Sequence, residues 1–107
     1  MPATNVRVER CTQQLRGAFT EMWEASGTID FGSASDGNSV SDTIAVPGVA
    51  LGDMVLGVSL GVNAALGIVT AYVSAANTVT VVVSNLETSA LDLASTTVKV
   101  FIGRPGW

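Results

Sequence analysis

From residue 27 onward the chain alternates apolar and polar positions with a period of two, interrupted at short intervals by Gly, Pro and Asn. That period puts successive side chains on opposite faces of a strand. Six strands are predicted, at 28–31, 40–46, 53–60, 67–74, 78–84 and 96–102. In the second, Val40, Ile44 and Val46 share a face that Asp42 interrupts; in the third, Met54, Leu56, Val58 and Leu60 share one. Val79, Val81 and Val83 are the predicted core face of the fifth. Asp36-Gly37 and Pro47-Gly48 are turn signals, and Ala75-Ala76-Asn77 closes the clearest hairpin, 67–74 with 78–84. Residues 33–39 and 85–95 read as loops. Pro105 donates no backbone bond and should stop the last strand soon after Ile102. The pattern as a whole predicts an all-β fold, a small antiparallel β-sandwich or barrel of about six strands.

Residues 1–27 differ in texture. Leu15, Phe19, Met22 and Trp23 recur at helical spacing, with Thr12 placed to cap and Gly17 weakening the helix. Val6 to Arg10 alternates instead, as an extended arm would. Helix and arm both stand for residues 12–25. The chain therefore divides into an N-terminal arm or attachment segment, 1–27, and a β-sandwich domain, 28–107.

The 20 residues from Met54 to Val73 hold no charged side chain. Their length would suit a transmembrane helix, and Gly57 to Gly61 matches a GxxxG spacing. Gly57, Gly61 and Gly67, a polar centre around Asn63, and the abundance of Val and Ile favour two strands joined by a loop. Strands this apolar need other strands or other chains to cover them.

Composition points the same way. Only 13% of the 107 residues are charged and 48% are hydrophobic, an unusual balance for a small monomer. Part of the surface is therefore expected to be covered by other copies or partners. The net charge of −4 arises entirely after residue 27, because three Arg balance three Glu before it. An acidic body with two basic residues does not suit nucleic acid. The N-terminus lacks a basic region followed by an apolar run, so no secretory signal is expected.

The chain has no histidine and one cysteine, Cys11. The usual proton-transfer side chain is absent, no internal disulfide can form, and Cys11 has no histidine to activate it. Asp36-Gly37-Asn38 is a fragment of a calcium loop without its distal Glu, and a plain turn explains it. Asp30, Asp42, Asp53, Glu87 and Asp92 show no spacing that pairs them and read as solvated carboxylates. No catalytic, metal-binding or cofactor-binding residue is assigned. Candidate interface residues are Arg7, Arg10 and Arg16, which suit charged pairing, and Phe19, Trp23 and Trp107, which suit anchoring. Solvated arginines and local packing of the aromatics are the competing readings.

Three blocks carry a resemblance: Thr28-Ile-Asp-Phe31; Ile44-Ala-Val-Pro-Gly-Val-Ala-Leu-Gly-Asp53; and Thr70-Ala-Tyr-Val-Ser-Ala-Ala-Asn-Thr-Val-Thr-Val81. They resemble a small β module of bacteriophage virion proteins, found in head decoration (cement) proteins and at the ends of some fibre-like proteins. The resemblance covers about residues 28–102 and leaves out 1–27. It implies an all-β, non-enzymatic homotrimer on the virion. The expected function is a capsid decoration protein that binds the major capsid protein on the outside of the head, with no nucleic acid or membrane partner. The alternative is a fibre, spike or tail-associated module that binds a host surface.

Overall fold

The computed structural model describes residues 18–106, and within them the chain is all-β. Eight strands run in order: β1 (Phe19–Ile29), β2 (Ser33–Ala34), β3 (Ser39–Ala45), β4 (Met54–Leu60), β5 (Ile68–Ala75), β6 (Thr78–Ser84), β7 (Leu91–Asp92) and β8 (Thr96–Pro105). Two three-stranded antiparallel sheets, β1-β8-β4 and β3-β6-β5, face each other, and a two-stranded ribbon, β2-β7, lies at one end. The charge-free segment is β4, a loop and β5. No helix among the described residues is long and apolar enough to cross a membrane.

The central strands follow the alternation closely. Val79, Val81 and Val83 of β6 face Val98, Val100 and Ile102 of β8 across the core, and all six are buried. Each buried branched aliphatic side chain contributes about 1.5–3 kcal/mol relative to exposure. Ile29, Phe31, Ile44, Val46, Val49, Val73, Leu91 and Leu93 complete the core. Asn77, at φ 62°, closes the β5–β6 hairpin, a left-handed position that Asn tolerates well.

Three expectations are corrected. Residues 19–25 are not helical, and the domain does not begin at 28. β1 pairs with β8 in a continuous register from Glu21↔Arg104 to Ile29↔Thr96. The segment carries two patterns at once, a helical stripe and a period-two series, Trp23, Ala25, Gly27 and Ile29. The second prevails because it puts an apolar edge over the core and gives every residue from Glu21 to Ile29 a ladder partner. Residues 12–17, Cys11 and the alternating 6–10 lie outside the described residues.

The single face expected for Met54, Leu56, Val58 and Leu60 breaks at a bulge. Val55 pairs with Ile102 and Gly57 with Phe101, so Leu56 is the extra residue. A bulge shifts the side-chain phase by one. Val55, Val58 and Leu60 therefore pack on the core, while Met54 and Leu56 are exposed.

The last strand also runs further than expected. Gly103 is the last partner of β4, whereas β1 continues alongside β8 to Pro105. Past Gly103 the strand has a neighbour on one side only, which is where a sheet accepts proline. At Gly103 the Phe19 ring lies so close that an added Cβ would sit 2.7 Å from it. The Gly106 amide then bonds the Ala18 carbonyl at 2.9 Å, so the two ends of the described chain lie side by side.

The strand phase is directly testable. Val81→Asp places an unpaired carboxylate between the sheets and should cost several kcal/mol, comparable to the about 5–15 kcal/mol stability of a small domain. Thr80→Asp, on the outer face, loses only its 2.7 Å hydrogen bond to Ser74 Oγ and should cost about 1 kcal/mol. Urea denaturation of the two variants checks the difference.

Candidate functional site

Besides the outer faces of its two sheets, the sandwich presents two ends, where loops connect strands, and two flanks, where the sheet edges lie. Each is built from short segments whose residues explain their geometry.

At one end, residues 46–53 and the hairpin tip 76–77 converge. Pro47-Gly48 turns the chain with Gly48 at φ 104°, and an added Cβ there would meet Trp23 Nε1 at 3.1 Å. Asn77 holds this turn against the hairpin. Its amide donates to the Val49 carbonyl, its carbonyl accepts from Val46 N, and its Oδ1 accepts from Gly48 N, all at 2.8–2.9 Å. Beside it Arg104 lies 5.1 Å from the Trp23 ring centre, within cation–π range. Its Nε and Nη2 donate to the two carboxylate oxygens of Asp53 at 2.9 Å, and Nη2 also donates to the Gly48 carbonyl at 2.9 Å. Nη1 reaches Glu21 at 3.3 Å. This two-pronged geometry is specific to arginine.

Asp53 is thus no solvated loop carboxylate: its side chain is 4% exposed. The Arg104 hydrogen bonds hold its carboxyl below the usual carboxylate range; burial opposes them and the Ala50 amide reinforces them. Trp23 is a structural anchor of β1 under Arg104, and Phe19 is 8% exposed over Gly103. Both therefore belong to β1 of the sandwich, not to an arm. Arg7, Arg10, Arg16 and Trp107 lie outside the described residues.

At the opposite end, the loop expected at 85–95 is organised by Asn85, which is 1% exposed. Its Nδ2 donates to the carbonyls of Ala34, Ser35 and Ser89 at 2.9, 3.2 and 2.9 Å. Its Oδ1 accepts from Glu87 N at 2.8 Å. One side chain so ties β2, the 35–38 turn and the 85–89 segment together. Asp36-Gly37 is a plain turn, closed by Asn38 N to the Ser35 carbonyl at 3.0 Å. Asp30, Asp36, Glu87 and Asp92 all belong to segments at this end. Among the described residues, no group of three or more His, Cys, Asp or Glu is arranged to hold a metal ion.

The two flanks differ sharply. On one, the open edges are β1 and β3, which carry Glu21, Glu24 and Asp42, all exposed. Asp42 stands opposite fully buried Val81 in the ladder, yet reaches solvent and accepts from Thr43 N at 2.8 Å. A charge set on the inward-facing row of an edge strand blocks further strand pairing. On the other flank the open edges are β4 and β5, which pack against each other and are joined by residues 61–67. Here Met54, Leu56, Leu66, Ile68 and Tyr72 are exposed.

Sequence reasoning missed Arg104, Asp53 and Asn85. Gly52-Asp53 ahead of a strand and the scarcity of basic residues were the available signals for the ion pair. Nothing in the sequence distinguishes Asn85 from any other loop asparagine.

Both hubs yield measurable consequences. Asp53 is more acidic in the folded chain than in the unfolded one. Its ion pair therefore contributes stability above about pH 4, the ordinary carboxylate value, and the contribution is lost as pH falls through the folded-state value. Asp53→Asn should melt below wild type near neutral pH, and the gap should narrow in melts taken toward about pH 2–3. Asn85→Ala leaves the Ala34 carbonyl without its buried side-chain donor, at about 1–3 kcal/mol for such a group. It should lower stability on the order of 2 kcal/mol and accelerate amide exchange in residues 33–38 and 85–92, with β6 and β8 retaining their protection.

No family model matches the chain, and no curated protein or solved structure matches it significantly.

Proposed function

We propose that this chain is a structural protein of a bacteriophage virion, a homotrimeric decoration module that binds the major capsid protein on the outside of the head. The observation that supports this reading most is the junction at Asn77. The Val46–Val49 turn and the β5–β6 hairpin come from the two blocks that resemble phage decoration modules, and Asn77 hydrogen-bonds one to the other. The resembling blocks are thus one physical unit, with spacing set by mutual contact rather than by two independent coincidences.

The proposed role is mechanical. Each copy adds buried area where capsid subunits meet, so opening the shell must also break those contacts. A standard stable interface buries about 1,600 Å², and many weak contacts on one shell add through multivalency. Arg7, Arg10 and Arg16 supply the positive charge for attachment, since the described residues carry two cations, Lys99 and Arg104, against eight carboxylates.

Copy number per particle tests the proposal. A decoration protein is present in hundreds of copies, seated in a cryo-EM map at positions set by the shell lattice. A handful of copies confined to a tail or fibre would reject it. Deleting residues 1–16 leaves the β1–β8 ladder whole, so the shortened chain should keep its circular dichroism and melting transition while binding undecorated capsids at least tenfold more weakly. Deleting 1–26 removes most of β1 and should unfold the domain.

A further inference from the structure

The segment from Met54 to Val73 poses a physical problem that the fold does not solve. It holds no charge, yet more than half of its residues are exposed and only Val73 is buried. It supplies both open edges of one flank, β4 to one sheet and β5 to the other. The β5 edge is weakly protected: from Ile68 to Ala75 it has no charge and no proline, and its ladder with β6 stays regular as far as Val73, where a bulge at Ser74 interrupts it. The β4 edge is interrupted only by the bulge at Leu56. The opposite flank, in the same molecule, carries Glu21, Glu24 and Asp42 on its edges.

We infer that the Met54–Val73 flank is the surface through which copies of this chain contact one another. Three observations favour a second copy over another occupant. Identical flanks that carried charge would set like charges together, and this flank carries none, although the described residues hold eight carboxylates elsewhere. An open strand edge is satisfied by another strand, and each copy brings two such edges on the same side. Its exposed side chains also include Met54, Leu56, Leu66, Ile68 and Tyr72, the large apolar and aromatic types that contacts between copies bury. With β4 and β5 side by side, the β5 edge of one copy can face the β4 edge of the next around a closed symmetry axis. The inference gives the proposed homotrimer its contact surface, and it holds for any self-associating role of the chain.

The test uses the full chain in solution, first alone and then with undecorated capsids. Wild type should sediment as an oligomer at micromolar concentration. Thr70→Lys on β5 and Leu56→Lys on β4 put charges at exposed positions of the flank, and each should sediment as a folded monomer, with an at least tenfold rise in dissociation constant. Thr43→Lys, exposed on β3 of the other flank, should assemble as wild type does. Amide exchange on wild type gives a readout independent of substitution: the amides of residues 68–73 that point away from β6 should be protected when assembled and lose that protection on dilution, while those bonded to β6 keep theirs. A wild type that stays monomeric overturns the inference, as does a folded lysine variant of both strands that still assembles. Protection of 68–73 that appears only when undecorated capsids are added would also overturn it, assigning the flank to the capsid protein and leaving the decoration role standing. Loss of capsid binding with self-association intact would reject the decoration role alone.

Discussion

Everything in this molecule depends on keeping the β6 and β8 ladders dry. Val79, Val81, Val83, Val98 and Ile102 are at most 1% exposed, and they are the middle strands of their sheets. A middle strand must be flanked on both sides to satisfy its backbone, so β1 and β4 on one sheet and β3 and β5 on the other are required by the two strands they border. Three connections follow in turn, because β1 to β3, β3 to β4 and β4 to β5 each carry the chain from one border strand to another in the facing sheet. The ordinary hydrophobic term, acting on two short valine-rich strands, sets the plan of the whole domain.

That dependence explains which parts of the fold were legible. β6 and β8 alternate cleanly because their two faces meet different environments, and so the sequence carries their phase. The β5–β6 hairpin was equally plain, since its turn residues and both strands agree. β1 was ambiguous because Phe19, Met22 and Trp23 fit a helical stripe while Trp23, Ala25 and Ile29 fit a strand. Only the presence of β8 alongside decides between them, and a partner some 80 positions away leaves no local trace. The bulge at Leu56 was invisible for a related reason: a one-residue phase shift exists only relative to the neighbouring strand. The polar hubs were hidden more deeply. The bond between Arg104 and Asp53 spans 51 positions, and Asn85 acts through carbonyls that every residue possesses.

The two hubs do different work from the core. Apolar burial fixes which faces meet but is indifferent to small slides of one sheet over the other. Directional bonds are not. Arg104 grips Asp53 with two nitrogens and Gly48 with one of them, and Asn77 clamps the same turn to the hairpin. At the far end Asn85 ties β2 to the 85–89 segment with a single amide. Both ends of the sandwich are thus held by polar groups that tolerate little displacement.

The hydrogen bond from Gly106 to Ala18 has a topological consequence. Residues 18 and 106 leave the domain from one end, beside each other, so the described chain is nearly a ring. Joining them through a short linker and reopening the chain within residues 61–67 would leave every strand ladder intact, and the order of synthesis would then begin with β5. The sandwich is in this sense indifferent to where its polymer starts. Residues 18 and 106 thus share one pole of the domain, and the Asn85 end faces the other way.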